Sequence, residues 1–96
     1  MMRVPIHPPD TGEASCRFSA WFIEEGDEVV EGERLAEVLI PGVAIDVIAP
    51  ADGVLCQRLA RSKAVLTIAD VIGWIETEPA TSTQAVARGD QPRVAN

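Results

Sequence analysis

Basic side chains are scarce in this chain: eight Lys plus Arg stand against 15 Asp plus Glu, for a net charge of −7 over 96 residues. Neutralising nucleic-acid phosphates or anionic lipid needs clustered cations, so the balance excludes both as partners and favours proteins or neutral ligands. Lysine occurs once, as Lys63, and histidine once, as His7. Cysteine is limited to Cys16 and Cys56, without Cys-x-x-Cys or metal-ligand spacing. The pair reads as reduced thiols buried in apolar β-rich runs, and a disulfide would require their strands to be neighbours. No apolar run approaches the roughly 18 residues that cross a bilayer. Met1-Met2-Arg3-Val4-Pro5 has no signal-peptide core, which leaves the cytoplasm as the expected compartment. Nothing has the length and period of an amphipathic helix.

What is present is β-prone segments punctuated by Gly and Pro. The central stretch runs from Leu35 to Leu55: two apolar runs flank Pro41-Gly42, and Pro50-Ala51-Asp52-Gly53 closes the far end. Pro presets φ for the first central position of a turn and Gly accepts positive φ at the next, so this stretch reads as a hairpin with Pro41-Gly42 at its apex. Further strands are expected at Val4 to His7, Ser15 to Glu24, Val54 to Leu59, Ala64 to Thr67 and Val71 to Glu76. Short, regularly spaced strands argue for an all-β sandwich or barrel. Within Ser15 to Glu24, alternation places Cys16, Phe18, Ala20 and Phe22 on the inward face, and Arg17, Ser19, Trp21 and Ile23 on the other. A worn internal repeat also runs through the chain. Gly26-Asp27-x-Val29 is echoed by Ser62-Lys63-x-Val65 about 36 residues on, and the later part aligns only with one extra residue. The repeat implies quasi-two-fold symmetry and sets Lys63 opposite Asp27.

Candidate chemistry is thin. His7 lacks a nucleophile or carboxylate at a usable spacing and reads as a solvent-facing strand residue. Glu24, Glu25, Asp27, Glu28, Glu31 and Glu33 crowd around Gly26 and Gly32, but their order is not that of a calcium loop, so the segment reads as a solvated turn without metal. Trp21 reads as core packing. No catalytic triad, phosphate-cradling loop or paired-carboxylate site assembles, and no catalytic residue is assigned. After Glu76 small and polar residues dominate, so residues 1–76 are expected to form one β domain and residues 77–96 a flexible or disordered tail or linker.

The order Trp21-Phe22-Ile23-Glu24-Glu25-Gly26-Asp27-Glu28-Val29, Gly32, Leu35-Ala36-Glu37-Val38, Ala49-Pro50-Ala51-Asp52-Gly53-Val54-Leu55 and Val71-Ile72-Gly73-Trp74-Ile75-Glu76 resembles the lipoyl domains of the biotinyl/lipoyl carrier family, over about Val4 to Glu76. The resemblance implies a flattened β-barrel, or barrel-sandwich hybrid, of two small antiparallel sheets with quasi-two-fold symmetry. It also implies a hairpin whose apical lysine carries lipoate or biotin as an amide and swings it between the active sites of a multienzyme complex. The residues after Glu76 resemble the linkers of dehydrogenase acyltransferase chains.

The chain departs from that family at the apex. Aligned without a gap, the family's Asp-Lys pair falls on Pro41-Gly42, which puts Gly42 at the acceptor position. Amide formation needs a primary amine, and neither side chain has one. The Met-Lys-Met context of biotin acceptors is also missing, and Lys63 reads as an ordinary solvated lysine in a turn. No cofactor is therefore expected. Where the family is polar, this chain has Leu39, Ile40, Pro41, Gly42 and Val43, with Ile48 farther along. Contiguous apolar surface on a small domain marks a contact site. These residues are the candidate surface for a protein partner or for self-association, and drift after loss of modification is the competing explanation. The expected role is a non-catalytic binding or structural module, with an association to a 2-oxo-acid dehydrogenase-type complex. The alternative is a genuine lipoyl, less readily biotinyl, carrier domain of an acyltransferase component. A membrane-fusion transporter fragment is remote, because its long helical hairpin is missing.

Overall fold

Alternating apolar positions with no helical period leave the backbone one way to satisfy its polar groups, which is strand pairing. A computed structural model describes residues 2–78. Eight strands occur in order: β1 (Met2–Ile6), β2 (Cys16–Trp21), β3 (Glu28–Val29), β4 (Arg34–Ile40), β5 (Val43–Ile48), β6 (Gly53–Arg58), β7 (Val65–Leu66) and β8 (Gly73–Thr77). They form two antiparallel four-stranded sheets, ordered β1-β8-β6-β3 and β5-β4-β2-β7. The expected all-β, flattened sandwich architecture is what forms. The two sheets are not hydrogen-bonded into a closed barrel.

Phe18, Leu35, Val38 and Val47 from one sheet and Ile6, Leu55 and Ile75 from the other are fully buried between them. At about 1.5–3 kcal/mol for each large aliphatic side chain, this layer is the main stabilising contribution. The expected tail beyond Glu76 lies outside the described residues except for Thr77, where β8 ends, and Glu78.

Three expectations change. First, β2 slips register against β4 between Phe18 and Ala20. One extra residue in a strand reverses the in–out alternation beyond it. Ala20 and Phe22 therefore turn outward, while Trp21 and Ile23 turn inward, so Trp21 packs against the core as expected, but from the inner rather than the outer face. Trp21 lies 5.3 Å from the Phe18 ring centroid, and its Nε1 donates to the Ala60 carbonyl at 3.1 Å.

Second, Glu24 to Glu33 is more than a solvated turn. It contains β3, and Val29 is buried. Its carboxylates serve the backbone: Asp27 accepts from Glu24 N at 2.8 Å, Glu33 from Val30 N at 3.0 Å and Glu25 from Arg58 N at 2.8 Å. Acids committed to such turns do not converge, and no metal-holding cluster occurs among the described residues.

Third, the internal repeat has an offset of 37 without an insertion. Gly26 N donates to Leu55 O at 2.7 Å and Leu55 N to Asp27 O at 2.9 Å; Lys63 N donates to Phe18 O at 2.7 Å and Phe18 N to Ala64 O at 2.8 Å. Val30–Glu33 and Thr67–Asp70 form matching turns, and the register slip at Phe18/Ala20 recurs at Leu55/Gln57. Lys63 therefore corresponds to Gly26, not to Asp27. The two share left-handed backbone, with φ of 75° and 98°.

Candidate functional site: the β4–β5 hairpin and its neighbours

The expected hairpin is present. β4 and β5 pair from Arg34↔Ile48 to Ile40↔Val43, and the turn is Pro41-Gly42, with Gly42 at φ 80°. That positive φ is the reason glycine suits the second turn position. Both apical residues are exposed. Neither carries a side-chain amine, so an amide-linked group has no point of attachment at this turn. The chain's single lysine, Lys63, lies on the turn before β7, separated from β4 by β2.

Of the six candidate contact residues, the fold brings five together. Leu39 (38% exposed) and Val43 (52%) flank the exposed Pro41 and Gly42. Ile40 is half-buried and packs against the core, so only part of it is available. Ile48 is exposed but sits across from Arg34 at the other end of β5, roughly 16 Å from Val43 at the rise of an extended strand. It belongs to a separate surface, where the Arg34 guanidinium lies 4.5 Å from the Phe22 ring centroid and 3.2 Å from Asp46.

Two residues not singled out from sequence join the hairpin. Pairing places Val65, Arg17, Leu39 and Ala44 in one row across β7, β2, β4 and β5. Val65 is 62% exposed, and Arg17 donates from Nη1 to the Lys63 carbonyl at 3.3 Å. With Ser15, Cys16, Ile40 and Pro41 they line an open cleft of about 360 Å³. The signal that could have found them is the outward parity of Arg17 before the register slip. The strand partners themselves are not written in the sequence.

Both thiols are free, and their strands belong to different sheets, so they are not paired. Burial pushes the Cys16 thiol up, with a smaller push from the Asp70 carboxylate. Cys56 is only half-buried and donates toward the Trp74 carbonyl at 3.4 Å. A thiol held protonated is a poor nucleophile, which argues against covalent chemistry at Cys16. His7 is exposed, with Nδ1 2.9 Å from the Asp70 carbonyl, and no carboxylate or hydroxyl partners it among the described residues.

No protein-family model matches the chain. Curated relatives do: the dihydrolipoyllysine-residue acetyltransferase component of the pyruvate dehydrogenase complex from two strains of Staphylococcus epidermidis is 31% identical over 84 residues, covering 85% of this chain. The chain spans 19% of the length of those relatives. Among solved structures, the lipoyl domain of the 2-oxoglutarate dehydrogenase complex from Azotobacter vinelandii superposes with a TM-score of 0.61 at 20% identity, covering 77% of this chain and 96% of that one. Sequence kinship and fold agree, and the chain is lipoyl-domain-like.

Proposed function

We propose that this chain is an unmodified lipoyl-like module that docks a protein partner through the β4–β5 hairpin, without catalysing a reaction itself. The observation that carries the reading is the apex. Pro41-Gly42 keeps the tight turn and offers no amine, while Leu39 and Val43 beside it are exposed and apolar. A swinging arm needs an attachment atom, whereas a docking surface needs apolar area, and the hairpin supplies the second. In this reading residues 1–76 are the module, residues 77–96 its linker, and the cytoplasm its compartment. The relatives' names, which are those of a pyruvate dehydrogenase complex component, support a partner in a 2-oxo-acid dehydrogenase-type complex.

Two measurements test this reading. Intact-mass spectrometry after co-expression with a lipoyl or biotinyl ligase and its cofactor is expected to return the unmodified mass, and a gain of one lipoyl or biotinyl group overturns the reading in favour of a true carrier. Val43→Asp places a charge on an exposed apolar position without touching the core. It should weaken binding to a purified dehydrogenase-complex component, or self-association, by at least about tenfold. Unchanged binding in both assays removes the hairpin as the docking surface.

A further inference from the structure

The offset of 37 that relates the two halves also relates their outer surfaces. Val65, Arg17 and Leu39 on the hairpin sheet have their counterparts at that offset in Glu28, Val54 and Glu76 on the other, across β3, β6 and β8, and Arg3 of β1 continues that row beside Glu76. Each row borders an open cleft. The second cleft, of about 540 Å³, is lined by Glu28, Val29, Val30, Gly53, Val54, Glu76 and Glu78. The two clefts share a backbone plan and have opposite chemistry. On the hairpin side a cation, Arg17, sits between two exposed aliphatic residues. On the other side an aliphatic residue, Val54, sits between two carboxylates.

We infer that two copies of this chain associate head to tail, with the Arg17 face of one molecule seated in the Glu28–Val54–Glu76 cleft of the next. The complementarity follows from strand spacing. Neighbouring strands lie about 4.8 Å apart, so a guanidinium placed over Val54 has a carboxylate one strand away on each side. The Glu28 carboxylate makes no hydrogen bond or ion pair among the described residues, whereas that of Glu76 meets Arg3 at 3.7 Å. Glu28 is therefore the carboxylate most available to an incoming cation. The contact joins two different faces, so it is heterologous and extends into an open chain or closes into a ring. The inference rests on reading the hairpin as a docking surface and goes beyond it by naming the partner and the receiving cleft.

The test is sedimentation of the full chain up to roughly millimolar concentration, with ionic strength near 0.15 M, where a Debye length of about 8 Å limits the repulsion between two chains of net charge −7. Wild type should associate reversibly. Arg17→Glu and Glu28→Lys should each weaken that association by at least about tenfold, Arg17→Lys should retain most of it, and mixing Arg17→Glu with Glu28→Lys should restore it. Circular dichroism confirms that the variants fold. A strictly monomeric wild type overturns the inference. So does a Glu28→Lys variant that associates like wild type, since the acidic cleft is then not the receptor. If wild type is monomeric while Val43→Asp loses a dehydrogenase-complex component, the self-pairing fails and the hairpin reading stands; if Val43→Asp changes neither assay, the hairpin reading fails with it.

Discussion

The two halves of this domain use one backbone plan to make unlike surfaces. Between β2–β4 and β6–β8 the hydrogen-bonded turns, the register slips and the buried positions correspond at a constant offset. Phe18 corresponds to Leu55, Val29 to Leu66, Leu35 to Ile72 and Val38 to Ile75, all of them buried apolar residues. Outward positions differ freely: Arg17 against Val54, Leu39 against Glu76, Val65 against Glu28. A core position is constrained by volume and polarity, whereas an exposed position contributes little to folding and is free to take up a binding role. Geometry is therefore duplicated while surface chemistry is not.

The comparison breaks if equivalent core positions differ greatly in weight. Phe18→Ala should cost about 3–5 kcal/mol and Leu55→Ala about 2–5 kcal/mol, since each truncates a fully buried side chain between the sheets. Urea unfolding measures both, and a loss below about 1 kcal/mol at either site would show that the halves do not share one core.

A smaller effect separates the two left-handed turns. Lys63 holds a backbone conformation that costs a residue with a Cβ about 1 kcal/mol, and Gly26 holds the same conformation without that cost. Lys63→Gly should stabilise by about 1 kcal/mol and Gly26→Lys should destabilise by a similar amount. Thermal melts of the two variants should move in opposite directions. Shifts of the same sign would mean that the turns are not equivalent.

The smallest effect concerns Cys16. Its thiol is raised above the ordinary value of 9.0 by burial first and by Asp70 second. The folded state therefore holds that proton more tightly than the unfolded state. The stabilisation is complete below the unfolded value and is lost as pH rises through the folded one. Wild type should lose stability more steeply than Cys16→Ala above about pH 9, and parallel curves would remove the thiol as the cause.

The architecture is largely legible in the sequence. Gly and Pro punctuation located most of the strands, and Pro41-Gly42 marked a real turn. Matching Val29 to Val65 aligns the repeat one residue short. Burial matches Val29 to Leu66, since the short strands β3 and β7 each present one exposed and one buried residue. The candidate surface was half legible. Leu39 to Val43 can be read from the hairpin, but the sequence does not show that Ile48 lies at the far end of β5 or that Arg17 and Val65 stand beside Leu39. A strand's own residues reveal its parity; which strand lies beside it is a matter of long-range pairing.

By itself, then, the sequence determined the β class, the turn that ends the hairpin and the absence of an amine there. Each of these depends on local backbone preference or on simple chemical inventory. Tertiary structure alone decided which way Trp21 faces, that Lys63 occupies the place of Gly26, and that Arg17 stands beside Leu39 while Glu28 and Glu76 flank Val54. Those facts follow from register and sheet order. Both are set by how the two sheets bury their apolar faces together, and no short window of residues contains that information.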